Sequence, residues 1–546
     1  MRIDNISSLA DWLRSADSNV SNSGVEIARP VIDALGRLAT LIADNANGNL
    51  GFHAGSLLIS TLQEHARDTA RLTSFACWIG SAAPQRRDAI ANLLSIMGSQ
   101  ARDQNRLAAA LDSVAAVDSG ANEVVDLLNL TLAHAGATCS RYASSRYPIA
   151  ITALDQMEAL PVLRRNEAER DLLSICAKEA PVDFYTATSA TTTGRALLVP
   201  HCRAENEAFS KYGSSDDTAV ESPYGMTLRL MPAGRLIGAP LAGGDTVLAT
   251  YETNALHENR WDLWDYIAAQ VFVEFPSRNG LKQIQTIHAT PPFGLILLTK
   301  YMLQRGMEPK DSSVKNLLVT GSWVGPTTRR WLQESWGARL HTTYSCSEIV
   351  GGAVECEDHP GRYHFGPNIF PEVLNGAGKA VAKDEQGDIY LTGLYPFQRS
   401  AVFLRYEVGD WGKLSEEFCT CGFAGRSVDF LGRTRDVLSI TSSDGTRFAI
   451  PPVPVRNALD RFACVPKIPR PQYRMRLEQG TTVGLEIDVE CYALAGQRWV
   501  ERTRTAIAEA IIEEDSSIRK LISAGELKLN VNLFTRSTLT SRPEVR

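Results

Sequence analysis

The sequence predicts an α/β protein: a large α/β domain followed by a small α+β C-terminal domain, with an extended helical region in front of both. Three observations carry this. Apolar residues recur at helical spacing through the first 145 residues; strand, helix and strand patterns alternate from about Tyr147; after "GRTRDVLSI" two alternating strands flank a Gly turn, with an amphipathic helix and a last strand behind them. At 546 residues the chain exceeds one compact core, so roughly two to four domains are expected.

The elements follow in order. Val31, Leu35, Leu38 and Ile42, then Ile90, Leu93, Leu94 and Met97, then Leu107, Leu111 and Val114, form helix-packing stripes with no readable chemistry, so 1–145 reads as an all-helical region. "VKNLLVTGS" reads as a buried strand ending in a Gly turn, "TRRWLQESWG" as a helix stopped by glycine, and "ARLHTTYS" as the next strand. That spacing indicates a parallel sheet. "GDIYLTGL" and "AVFLRYEVGD" suggest a β-rich subdomain around 353–425, within a large domain of 146–432. In 433–546, "QYRMRLEQGTTVGLEIDVEC" gives two strands, "RWVERTRTAIAEAIIEE" an amphipathic helix and "ELKLNVNLF" the final strand.

The formal net charge of -6 and a pI near 5.9 argue against a nucleic-acid partner. No early apolar run suits a signal peptide and none is long enough for a membrane span, so the expectation is a soluble, cytoplasmic protein. In a reducing compartment disulfides are disfavoured. The closely spaced Cys419 and Cys421 of "LSEEFCTCGFAGR" are then metal ligands or plain core residues.

Four segments could carry chemistry. "TATSATTTGRALLVP" is a hydroxyl- and Gly-containing turn able to donate to phosphate, though Ser/Thr loops are often only solvated. "TTYSCSEIVGG" puts Glu348 after a parallel strand, where a carboxylate can hold nucleotide-bound Mg²⁺ or simply cap a helix. In "LRYEVGDWGKL", Asp410 can accept from two ribose hydroxyls or serve as a turn residue. "GRTRDVL" offers Arg433 and Arg435 to phosphate or to surface ion pairs.

Taken in order, "EALPVLRRNEAER", "TSATTTGR", "LVTGSWVGPTTRRWLQESWGARLHTTYSCSE", "GDIYLTGL", "FLRYEVGDWGKL" and "CTCGFAGRSVDFLGRTRDVLSI" resemble the adenylate-forming superfamily, in particular its phenylacetate–CoA ligase branch. The resemblance covers about 145–546. It implies the adenylate-forming fold and an enzyme that is an AMP-forming carboxylate ligase. Such an enzyme uses ATP and Mg²⁺ to activate a small, aromatic or other, carboxylic acid as the acyl adenylate, then transfers the acyl group to CoA. Two alternatives stay open: an amine, hydroxyl or carrier-protein acceptor, and a non-catalytic protein that binds nucleotide or acyl adenylate. A homodimer is compatible with the family; a membrane partner is not expected.

Carried over by position, Ser189, Thr191, Thr192, Thr193 and Gly194 would bind phosphate, with Gly321, Thr343 and Tyr344 at the nucleotide and Asp410 on the ribose. Glu348, Arg433 and Arg435 would be the catalytic set, and Pro292, Phe293, Trp323 and Ser345 the acid pocket. The branch also implies a structural Zn²⁺ held by Cys356, His364, Cys419 and Cys421, with His359 as a rival imidazole. The other six cysteines, Cys77 and Cys176 among them, read as small core residues.

Three positions depart from the family pattern. Thr191 stands where the phosphate loop usually has Gly, with Arg195 and Ala196 in place of Lys and Pro. Arg435 occupies the first acidic place of the domain hinge, and the place of the family's terminal lysine falls on Val545 or Arg546. These departures favour the non-catalytic alternative.

Overall fold

The computed structural model describes most of residues 123–535, the chief gaps being 189–195, 210–224, 233–245 and 252–260, and a few residues before 123. The helical stripes proposed at 31–42, 93–97 and 107–114, and the chain end at Val545 and Arg546, lie outside the described residues, as does Cys77. Within 1–145, helix α1 (Glu123–Thr138) is described, and one correction applies: Arg2–Ile3 pairs in parallel with Glu26–Ile27, so the region is not purely helical.

After α1 comes the short helix α2 (Arg165–Arg170), then an antiparallel pair, β1 (Phe184–Ala187) and β2 (Leu198–His201), and the strands β3 (Thr227–Pro232) and β4 (Thr246–Tyr251). Helix α3 (Trp261–Phe272) leads to β5 (Thr286–Ala289), and α4 (Phe293–Gln304) leads to β6 (Asn316–Thr320). Helix α5 (Pro326–Trp336) leads to β7 (Arg339–Tyr344). Strands β3 to β7 pair in parallel, as the strand–helix–strand pattern predicts. Pro326 opens α5 with its φ preset, and Gly337 closes it at φ 59. Leu228, Leu230, Ile287, Ala289, Leu317 and Val319 alternate onto one sheet face, where they form a core with Ile267, Leu295, Met302, Leu332 and Trp336 of the helices.

The sheet then turns antiparallel through β8 (Ala353–Glu355), β9 (Arg362–Phe365), β10 (Ile369–Leu374), β11 (Gln386–Gly393), β12 (Tyr406–Ser415) and β13 (Ser427–Arg433). Eleven strands run β10-β11-β12-β13-β9-β8-β7-β6-β5-β3-β4. The "AVFLRYEVGD" strand begins later than its pattern suggests, at Tyr406. Just before it Arg405 has a left-handed φ of 46, and its buried guanidinium pairs with Glu372 at 3.0 Å and donates to the carbonyls of Leu160 and Gly378.

A separate core follows, built from Ile440, Ile450, Leu459, Leu485, Ile487, Ile507, Ile511 and Leu527 among others. Its elements are the hairpin β14 (Leu438–Thr441) and β15 (Arg447–Ile450), helix α6 (Pro452–Asp460), β16 (Tyr473–Glu478), β17 (Val483–Cys491), α7 (Gln497–Glu514), α8 (Ser516–Ser523) and β18 (Leu527–Thr535). Strand β17 pairs antiparallel with β16 and parallel with β18. No helix among the described residues is long and apolar enough to cross a membrane.

Candidate functional site

In an open parallel sheet the carboxyl ends of the strands border a crevice where loops can present side chains. Here β7 runs out at Tyr344 into the turn that carries Glu348, which is only 3% exposed. Arg165, at the start of α2, donates to Glu348 Oε1 at 3.2 Å, and the Tyr406 hydroxyl donates to the same oxygen at 2.9 Å. Both contacts fall on Oε1, which leaves Oε2 facing neither. The turn is held by Gln398, whose Oε1 accepts from the Val350 N–H at 3.0 Å and whose Nε2 donates to the Glu348 carbonyl at 3.2 Å. It closes on two glycines for a reason: Gly351 has φ 90, and a Cβ at Gly352 would lie 2.4 Å from the Tyr344 carbonyl oxygen.

The predicted phosphate-loop residues Ser189, Thr191, Thr192, Thr193 and Gly194 lie outside the described residues, but the base of that loop is described. Thr188 and Leu197 close it: the Leu197 N–H donates to Thr188 Oγ1 at 2.8 Å and the Thr188 N–H to the Leu197 carbonyl at 3.0 Å. Thr186 on β1 donates to the Ser347 carbonyl at 2.8 Å, and Arg165 Nη2 reaches Thr188 Oγ1 at 3.5 Å. The loop base and the Glu348 turn are therefore tied at two points.

Asp410, 5% exposed, accepts from the Tyr344 hydroxyl at 2.7 Å and lies 3.1 Å from Arg433 Nη1. The pairing is set by register, since Asp410 and Arg433 are directly opposite on β12 and β13. Burial pushes the Asp410 carboxyl up, against Arg433 and the Tyr344 hydroxyl, which favour its charged form. Burial and the Asp410 charge hold the Tyr344 phenol well above its ordinary value, so it is a neutral donor. The ring of Tyr344 sits among Tyr363, Phe365 and Phe430, with centroids 5.8, 5.9 and 5.8 Å away.

The remaining predicted residues divide. Thr343 is within 2.6 Å of the Thr320 hydroxyl, and Gly321 follows directly at the carboxyl end of β6. Ser345 is exposed on the turn. Phe293 packs edge-on against Tyr251 in the helix-side core, and buried Pro292 starts α4. Trp323 lies over Gly325, at the start of α5. Arg435 pairs at 3.6 Å with its neighbour Asp436. Arg165, Thr188 and Tyr406 were not singled out from the sequence; the only signal for Arg165 was its place in "EALPVLRRNEAER".

The cysteines meet as a second, separate group. Ligand atoms of Cys356, His364, Cys419 and Cys421 all lie within 4.8 Å of one another. Cys356 Sγ is 3.3 Å from Cys419 Sγ, and Cys421 Sγ is 3.3 Å from His364 Nε2. His359 is exposed and contacts Thr420 instead, so His364 is the imidazole of the cluster. The backbone N–H donated at Cys421 brings the Cys419 thiol down to about 7, whereas burial raises Cys356 to about 11.

No protein-family model matches the chain. Phenylacetate–coenzyme A ligase of Thermus thermophilus is 27% identical over 269 residues, 47% of this chain and 56% of that protein. The chain thus spans little more than half the length of the curated relative it matches. Among solved structures, 2-hydroxyisobutyryl-CoA ligase in the postadenylation state, in complex with R3-HIB-AMP, superposes with a TM-score of 0.55 at 15% identity, covering 78% of this chain and 88% of that one. The same ligase in an open conformation, in complex with 2-HIB-AMP and CoA, gives 0.53 at 15% identity, with 78% and 90% covered. At such identity the likeness is one of fold. The chain has the adenylate-forming fold and resembles, in sequence, the phenylacetate–coenzyme A ligase branch.

Proposed function

We propose that the protein is an AMP-forming ligase that activates a small carboxylic acid with ATP and passes the acyl group to CoA. The observation that carries this reading is the meeting of Tyr344, Asp410 and Arg433 beside a carboxylate, Glu348, at the carboxyl ends of the parallel strands. Asp410 would accept from the ribose hydroxyls, displacing or sharing its present partners, and the Tyr344 ring offers a flat apolar surface to the base. The donor set fits Mg²⁺, which prefers one or two carboxylates with phosphate oxygens, and Glu348 Oε2 is the oxygen left to it. Bound there, Mg²⁺ would neutralise charge on the phosphate oxygens. Arg165 orients Glu348 and adds positive charge beside the loop base.

In the same reading, 146–432 is the large domain and 433–546 a small mobile one, with the chain passing from one to the other just beyond Arg433. Cys356, His364, Cys419 and Cys421 fit a closed tetrahedral Zn²⁺ site, whose role is architectural because three thiolates and an imidazole leave no open position.

The direct test is ATP–pyrophosphate exchange across a broad panel of carboxylic acids, followed by thioester formation with CoA. Acid-dependent exchange supports the reading. Clean nucleotide binding with no exchange for any acid removes it in favour of a non-catalytic binding protein. Exchange without thioester formation moves the acceptor to an amine, a hydroxyl or a carrier protein.

A further inference from the structure

The parallel sheet is aliphatic on its helix-packed face, and its other face carries a row of polar residues between Leu248 and Leu318. Arg229 and His288 are direct neighbours in register on β3 and β5. His288 Nε2 is 3.0 Å from the Thr320 hydroxyl on β6 and 3.4 Å from that of Thr290. Thr320 is in turn 2.6 Å from the Thr343 hydroxyl, one residue before Tyr344. A polar row therefore climbs from within the sheet to the edge of the nucleotide site.

Among the described residues, no counter-ion meets its inner end. Arg229 is half-buried, and among the described residues its guanidinium makes no hydrogen bond or ion pair; burial lowers its pKa. His288 is held down at about 4, first by burial and then by the Arg229 charge, so it stays a neutral imidazole next to a cation. A guanidinium withdrawn from water without a counter-ion costs free energy that a bidentate carboxylate recovers. Of the aromatic residues expected to line an acid pocket, Phe293 packs edge-on against Tyr251 and Trp323 lies over Gly325.

We propose that this row receives the far end of the activated acid and that Arg229 binds a second carboxylate there, making small dicarboxylic acids the preferred substrate class. The inference rests on the acyl-adenylate reading for the reacting carboxylate. Arg229 and His288 would set specificity, with the neutral imidazole and the threonine hydroxyls orienting the distal group.

The test compares acids matched in shape: glutarate with glutaramate, and 4-carboxyphenylacetate with 4-carbamoylphenylacetate. Each is measured in pyrophosphate exchange and by calorimetric binding to the full-length protein. Wild type should favour the diacid of at least one pair by roughly tenfold or more. Arg229→Leu should lose at least about tenfold for that diacid and change less than about twofold for its amide, and Arg229→Lys, which keeps the cation, should recover part of the loss. Equal losses for diacid and amide, or preference for the amide in both pairs, overturn the inference. Exchange with monoacids alone leaves the ligase reading standing and this inference refuted. If no acid supports exchange, the ligase reading falls and calorimetry decides: diacid binding abolished by Arg229→Leu upholds the anion site, and no diacid binding by wild type ends it.

Discussion

Asp460 Oδ2 accepts from the backbone N–H groups of Thr327 and Thr328 at 2.8 and 2.9 Å, and its Oδ1 accepts from the Thr328 hydroxyl at 2.6 Å. The last residue of α6 thus caps the first turn of α5, 132 positions earlier in the chain. Helix α5 has no capping side chain of its own, since Gly325 stands at that place. A carboxylate there also meets the positive end of the helix. In this conformation the C-terminal core meets the parallel sheet's helix layer at this contact.

Asp460→Ala should lower stability by about 1–2 kcal/mol, the range for a lost helix cap, as read from chemical denaturation. Gly325→Ala should do the same from the other side, because its Cβ would lie 2.3 Å from the Asp460 carboxylate. Two variants with unchanged midpoints would show that the cap contributes nothing.

Asp410 carries a pH signature. Burial raises its pKa above that in the unfolded chain, so the native state holds the proton to higher pH. In the window just above the ordinary carboxylate value the native state binds more protons, and stability falls as pH rises through it. Asp410→Asn should flatten that part of the stability–pH curve while weakening AMP or ATP binding by about 1.5–3 kcal/mol in calorimetry. Unchanged slope and unchanged affinity together would leave Asp410 a packing residue.

Glu348→Gln keeps shape and removes charge. The Mg²⁺ concentration needed for half-maximal exchange should rise, with the rate down by tenfold or more; each factor of ten is about 1.4 kcal/mol. Tyr406→Phe should give a smaller loss, because it removes one donor to Oε1 and leaves the carboxylate charged. Wild-type Mg²⁺ dependence in Glu348→Gln would place the metal elsewhere.

Purified protein should contain about one equivalent of zinc, and Cys419→Ser or Cys421→Ser should release it and destabilise the segment around β8 and β9. His359→Ala should retain the metal, because its imidazole faces Thr420 while His364 faces the thiols. Elemental analysis checks each variant. A metal-free wild type of ordinary stability would make the four residues a reduced thiol cluster.

The parallel sheet was legible because its cues are local: Pro326 and Gly337 bracket α5, and Leu317 and Val319 alternate through β6. Helix α8 went unread, since it restarts directly after α7 on the cap supplied by Asp515, whose carboxylate accepts from Ser517 and Ile518. At the site, Glu348, Tyr344 and Asp410 came from motif order. Arg165 and Tyr406, the partners of Glu348, did not. Arg165 meets Glu348 across 183 positions and Asp460 meets Thr328 across 132, and no periodicity in a sequence records who faces whom at that separation. Phe293, read as an acid-pocket residue, is partly buried and packs edge-on against Tyr251, a contact that helical phase sets and that sequence order does not record.

Arg405 sets a rule for how this sequence can change over time. Its φ of 46 is one that glycine adopts freely, so a drift to glycine would relax the backbone. That same drift would strand the Glu372 carboxylate, 6% exposed, without its cation. Glu372 lost first would strand Arg405 equally. Because Tyr406, the next residue, donates to Glu348, a single step at either position is felt at the carboxylate proposed to hold Mg²⁺. Descendants of this chain can therefore replace the two residues together, or keep both.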